Sequence, residues 1–208
     1  MDGKTEPFSF LKNYLPNDSY PIIARYLKNK VILVKVTPPR MTKAGDFTFI
    51  KNQPNSCRIT VNNSGNKYEF LITLVHEIAH FYVFLKHKNN YLKLKPHGYQ
   101  WKTEFSSLMQ PLMSQKIFPK SVLERLKRHM MDPKASTSTD VLLVKALNQY
   151  APKTNHISVR EIPIGKTFLF RNGIQYTRGR KKIKRIECIE ITTGKKYLFH
   201  QEAMVRML

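Results

Sequence analysis

Five consecutive residues, His76-Glu77-Ile78-Ala79-His80, bring two imidazoles and a carboxylate together at a spacing suited to metal chemistry. On a helix, side chains four positions apart lie on one face, one turn above the other. Both rings can then reach a single divalent ion, with the carboxylate beside the water that ion binds. The chemistry open to such a set is metal-assisted hydrolysis, with the carboxylate moving the proton.

The helix that must carry these residues is legible around them. Tyr68 to Leu85 reads YEFLITLVHEIAHFYVFL, apolar around almost the whole circumference, as in a helix buried inside a domain. Asn66 is the predicted N-cap, Glu69 three residues on fits a capping box, and Gly65 lets the chain turn in. His76, Glu77 and His80 are the only strongly polar groups from Phe70 to Leu85, and burying them unpaired costs several kcal/mol. The alternative is a pair of hydrogen-bonded core histidines with Glu77 as their partner, an arrangement a core does not need.

A catalytic zinc takes three protein ligands and keeps one position for water. His87 is seven residues beyond His80, about 10.5 Å farther along a straight helix, too far for the same ion. The extended metzincin pattern is absent, since Val83 and Lys86 stand where it wants Gly and His. Two candidates remain for the third ligand. His97 sits in Pro96-His97-Gly98-Tyr99-Gln100-Trp101, a turn into a second helix with Trp101, Phe105, Leu108 and Met109 on one face. Glu104 lies on that helix. His97 is the stronger candidate.

HEIAH followed by PHGYQW resembles the H-E-x-x-H and H-G-x-x-W pair of the SprT-like family, which includes the Spartan-type proteases of DNA-protein crosslinks. RMTKAGDF (Arg40 to Phe47) and CRITVN (Cys57 to Asn62) are also similar to the segments leading into that family's active-site helix. The resemblance runs from about Leu11 to Arg128. It implies a zinc metallopeptidase with His76, His80 and His97 as ligands, Glu77 as catalytic acid and base, and Trp101 as a packing residue. Many members carry a Cys-rich zinc ribbon after the catalytic domain; with only Cys57 and Cys188, this chain resembles a form lacking it.

The chain has 208 residues, a formal net charge of +22 and a pI near 10.1, which favours polyanionic partners through counterion release and steering. DNA is the expected partner, or RNA in its place. No uninterrupted apolar run suggests a membrane span, and MDGKTEPFSF lacks the basic start and apolar run of a signal peptide. Two separated cysteines argue against a disulfide framework and for a cytoplasmic protein with reduced thiols.

The expected fold class is α+β. Residues 1–131 read as a zincin-like metallopeptidase domain, a small antiparallel sheet packed on the HExxH helix. PFSFLKNYLP and SYPIIARYLKNK read as short helices, and VILVKV, GDFTFIK and CRITVN as strands. Cys57 to Asn62 is the candidate edge strand for an extended substrate. Ser121 and Glu124 fit a capping box at the start of a further helix. Residues 132–156 read as a linker with a short helix, VLLVKALNQY, capped by Asp140. Residues 157–208 read as a basic antiparallel β module of SH3-like type, with turns at Asn172-Gly173 and Thr193-Gly194. Its densest charge is RGRKKIKR, so Arg178, Arg180, Lys181, Lys182, Lys184 and Arg185 are the candidate nucleic-acid-binding residues, with Tyr176 and Phe170 near enough to stack on bases.

Three functions fit these residues. The first is a zinc-dependent endopeptidase cleaving proteins on or crosslinked to DNA, with Glu77 activating the water. The second is a nucleic-acid-binding or adaptor protein whose zinc site is not catalytic. The third and weakest is a zinc hydrolase with a non-peptide substrate. The intact Glu77 and the lack of a nearby Cys to close the coordination sphere favour the first.

Overall fold

The structure, a computed structural model, describes residues 7–40, 43–50, 56–152, 156–170 and 173–208. It divides into two compact units, Met1–Ala151 and Pro152–Leu208.

The first unit runs through α1 (Tyr20–Leu27), β1 (Ile32–Thr37), β2 (Gly45–Phe49), β3 (Cys57–Asn62), α2 (Lys67–Lys86), α3 (Tyr99–Met109), α4 (Lys120–His129) and α5 (Val141–Asn148). The stretch PFSFLKNYLP contributes a single 3-10 turn, Ser9–Asn13. The sheet order is β1-β3-β2, with β3 parallel to β1 and antiparallel to β2. This corrects two expectations: the sheet is mixed rather than antiparallel, and Cys57–Asn62 is its centre rather than an edge. After β1 the chain crosses to the far edge as β2 and returns between the two. Its composition suits that place, since Cys57, Ile59 and Val61 are buried on one face and Thr60 and Asn62 on the other. Among the described residues, the unpaired sheet edge beside α2 therefore belongs to β2.

Helix α2 lies between this sheet and α3. Asn66 caps its start, its side-chain oxygen accepting from the N–H groups of Tyr68 (3.0 Å) and Glu69 (3.3 Å). Gly65 takes φ +76° ahead of it, a left-handed turn that a side chain disfavours. By length and composition α2 could cross a membrane, yet 67% of that window is buried within the unit, as befits a core helix. Leu71, Leu74, Val75, Ile78, Ala79 and Phe81 are almost fully enclosed. Each large side chain of this kind contributes about 1.5–3 kcal/mol by leaving water.

The later helices close the unit. α4 starts at Lys120 after Pro119 with no side-chain cap, so the Ser121–Glu124 capping box does not form, and the Ser121 hydroxyl lies 3.3 Å from that of Tyr150. α5 packs on α4 and buries Leu143, Ala146 and Leu147 in the same core as α2. The Asn66 amide also donates to the Leu147 carbonyl at 2.7 Å, so one asparagine caps α2 and tethers α5. The stretch 132–151 thus belongs to the first unit.

The second unit is a six-stranded antiparallel sheet ordered β4-β9-β5-β6-β7-β8: β4 (His156–Ser158), β5 (Thr167–Leu169), β6 (Gln175–Lys181), β7 (Arg185–Glu190), β8 (Lys196–His200) and β9 (Met204–Met207). It has its own core of Val159, Ile162, Phe168, Tyr176, Ile186, Cys188, Phe199 and Val205. Gly194 takes φ +67° in the turn at Thr193-Gly194. Of the other expected turn, Gly173 has φ +79° and Asn172 lies outside the described residues.

Candidate metal centre

His76 and His80 stand one turn apart on α2, and His97 leans in from the turn that opens α3. That turn is set by Gly98, whose N–H donates to the Lys95 carbonyl at 2.9 Å and whose extended backbone begins the helix. The three Nε2 atoms form a nearly regular triangle: 3.1 Å between His76 and His97, 3.2 Å between His80 and His76, and 3.1 Å between His80 and His97. They are a group that could hold a metal ion. Bonds of about 2.0–2.1 Å at tetrahedral angles set neighbouring donors about 3.3 Å apart, close to the separations seen here. Neutral imidazoles offer one N–H each, so three converging nitrogens cannot satisfy one another; a cation satisfies all three.

The rings are held by packing. The Trp101 indole lies 4.5 Å from the His76 ring, 4.8 Å from His97 and 5.6 Å from His80, and stacks on Phe105 behind them. Its N–H donates to the His76 carbonyl at 3.3 Å. Phe47 of β2 lies parallel to the His80 ring at 6.5 Å. Burial, then the neighbouring rings, pushes His76 down to about 2 and His80 to about 4, and burial lowers His97. All three are neutral near pH 7, the form that binds metal.

Glu77, next to His76, is 5% exposed. Burial, reinforced by Asp46, raises its carboxyl to about 8, against the pull of Arg40, Lys43 and a hydrogen bond from the Phe47 backbone. Strand β2 passes so close that a Cβ on Gly45 would lie 2.5 Å from Glu77 Oε1 and 2.8 Å from Thr73 Cγ2. Asn62 fixes the approach to β2. Its side-chain oxygen accepts from Arg40 Nε (2.7 Å) and the Thr37 hydroxyl (3.1 Å), its amide donates to the Lys43 carbonyl (2.7 Å), and its N–H donates to the Ala44 carbonyl (2.8 Å).

A cavity of about 410 Å³ opens beside the rings, walled by residues 45–47 of β2, by Tyr91, Pro96 and His97, and by residues 135–137. Glu104, the alternative third ligand, is paired instead with Lys86 at the end of α2. His87 is the exposed C-cap of α2. Of the nearby tyrosines, Tyr82 donates to the Tyr26 carbonyl at 3.0 Å, Tyr99 is exposed, and Tyr91 lines the cavity.

The six candidate nucleic-acid-binding residues lie on the β6–β7 hairpin. Arg180, Lys181, Lys182, Lys184 and Arg185 are exposed, and Arg178 is half-buried. The two aromatic residues expected to stack on bases are taken up by packing, which corrects that expectation: Tyr176 is buried against Phe168 and Phe199, and Phe170 packs on Phe199 at 5.0 Å.

Gly45, Asn62 and the 135–137 wall complete the site without having been singled out by the sequence. Only Gly45 carried a local signal, a lone glycine opening a strand, which often marks a close backbone approach. Residues 24–122 match the SprT-like family, a stretch from α1 into the start of α4 that includes His76, Glu77, His80 and His97. No curated protein and no solved structure matches the chain.

Proposed function

We propose that this chain, which belongs to the SprT-like family through residues 24–122, is a zinc-dependent endopeptidase that cleaves proteins on or crosslinked to DNA. The observation carrying this reading is the triangle of His76, His80 and His97 nitrogens with buried Glu77 beside it, at the floor of an open cavity. His76, His80 and His97 would hold the zinc as neutral imidazoles, and the ion would supply Lewis acidity toward a peptide carbonyl and a water. Glu77 takes the proton from the attacking water and returns it to the leaving amine. The substrate lies extended along the outer edge of β2, which has no strand partner among the described residues and borders the cavity. Helix α2 against a sheet with that open edge supports a zincin-like reading of the first unit, and the small antiparallel sheet supports an SH3-like reading of the second.

The net charge of +22 and the exposed cations of the β6–β7 hairpin support DNA as the partner that brings the protease to its targets, with Arg178, Arg180, Lys181, Lys182, Lys184 and Arg185 on phosphates. Cys57 and Cys188 are free and buried, and burial pushes both thiols up, in keeping with a reducing cytoplasm. The test is Glu77→Gln: it should retain zinc and lose cleavage of a DNA-bound protein. A wild type that binds zinc and DNA yet cleaves nothing would leave the adaptor reading in its place.

A further inference from the structure

The β6–β7 hairpin ends in an unusual tip. The Lys182 N–H donates to the Arg185 carbonyl at 2.7 Å, leaving Ile183 and Lys184 at the end. Two-residue loops are most often built from Gly, Asn or Asp, whereas here neither Ile183 nor Lys184 takes a left-handed backbone. Here Ile183 is 93% exposed, more than any other large hydrophobic residue described. It touches no core, and its sequence neighbours on both sides are cations.

Below the tip the hairpin is bulged. Arg178 pairs with Cys188 and Lys181 with Ile186, so Gly179 and Arg180 together oppose Glu187. Gly179 allows this because a Cβ there would lie 2.7 Å from the Glu187 carbonyl oxygen. A bulge breaks the in-out alternation of a strand and increases its twist. Arg180 and Lys181 are consecutive yet both exposed, and with Lys182, Lys184 and Arg185 they flank the isoleucine along the chain. Lys182 has an acidic neighbour, Glu187, at 3.8 Å.

We propose that this hairpin is a DNA-inserting arm: its cations straddle the phosphates along the minor groove of duplex DNA, and Ile183 wedges between two stacked base pairs. The proposal rests on the nucleic-acid reading of the second unit and adds the groove and the mode of engagement. Exposed cations on both sides of Ile183 suit a polyanion with an apolar interior, which stacked bases provide, better than an apolar protein surface. One aliphatic side chain is enough to part a base step. It is a thin anchor for a bilayer, where stable attachment takes more than one signal.

The test uses the full chain and a short DNA duplex carrying 2-aminopurine at successive steps and a donor–acceptor dye pair at its ends. Wild-type protein should raise the 2-aminopurine fluorescence and bring the ends closer. Ile183→Ser should bind within about threefold of wild type, since phosphate contacts dominate affinity, and lose both signals. Arg180→Gln with Lys181→Gln and Lys184→Gln should bind at least about tenfold more weakly, with the slope of log affinity against log salt shallower by about 2 to 3. Wild-type binding without a fluorescence rise, or an Ile183→Ser variant that unstacks bases as well as wild type, would overturn the wedge and leave DNA binding intact. So would Ile183→Ser losing affinity for phosphatidylserine vesicles while its DNA signals persist. No binding of DNA by wild type would remove the nucleic-acid reading itself, and the wedge with it.

Discussion

Gly45 and Glu77 meet so closely that a single methyl group on the glycine would lie 2.5 Å from the glutamate's Oε1. The β2 backbone therefore forms the lid over the carboxylate, and Phe47 hydrogen-bonds it from the same strand. Gly45→Ala forces either β2 or the Glu77 side chain to shift. Overpacking of this kind typically costs about 1–3 kcal/mol. The zinc content should hold, because the atoms nearest that methyl group belong to Glu77 and Thr73 rather than to a metal ligand, while peptidase activity should fall at least about tenfold through the misplaced acid. Metal analysis beside a turnover assay checks this; full activity in Gly45→Ala would mean that Glu77 has slack to spare.

His97 joins the α2 histidines across a polar loop, so it tests the centre as a unit. His97→Ala should reduce zinc from one equivalent to a small fraction and abolish turnover, whereas Glu104→Ala, which removes only the partner of Lys86, should change neither. Chelation of the wild type should lower Tm, because a ligand present at a hundred times its Kd stabilises the native state by about 2.7 kcal/mol. Undiminished zinc in His97→Ala would transfer the third ligand elsewhere.

The metal-free protein should lose stability in both acid and alkali, for opposite reasons. His76 and His80 are lowered to about 2 and 4 in the folded state from an ordinary value near 6.5. Below pH 6.5 the unfolded chain binds protons that the folded rings refuse, so this contribution is present above pH 6.5 and is lost as the pH falls toward 4 and then 2. Glu77 is raised to about 8, so its contribution is present below about pH 4.5 and is lost as the pH rises through 8. Each tenfold difference in proton affinity corresponds to about 1.4 kcal/mol. Metal-free Glu77→Gln should therefore be more stable than metal-free wild type at pH 9 and nearer to it at pH 5. Thermal melts across that range decide it, and parallel curves for the two proteins would refute the assignment.

The parts of this site that the sequence disclosed are those set by local geometry. The i, i+4 spacing of His76 and His80 places both rings on one helical face whatever surrounds them, and Asn66 and Gly65 announce where that helix begins. His97 was legible from the Pro-His-Gly turn and from the Trp101 face of the helix behind it. The order of strands was not, because alternation of Ile59 and Val61 with polar residues tells which way side chains point and nothing about which strand pairs with which. Hence β3 read as an edge when it is the centre. Residues 132–139 read as linker because Pro, Ser and Thr without periodicity look the same whether they wall a cavity or hang in water.

The 135–137 wall has its own fastener. The His129 ring, 2% exposed, sits at the end of α4 with Nδ1 3.3 Å from Asp140 Oδ2. Oδ1 of the same carboxylate accepts the Leu143 N–H at 3.0 Å and caps α5. One aspartate thus ties both ends of the 130–139 segment, whose residues 135–137 line the cavity. Asp140→Ala removes a helix cap worth about 1 kcal/mol and leaves a buried ring without its partner at about 1–3 kcal/mol more. Tm should fall by several degrees. With the wall loosened, KM for a protein substrate should rise several-fold while zinc content stays at wild type, because the three ligands are carried by α2 and the turn into α3. Asp140→Asn keeps a capping oxygen and should fall between the two in both Tm and KM. If Tm drops in Asp140→Ala and KM does not move, the clasp stabilises the fold without shaping the substrate cleft.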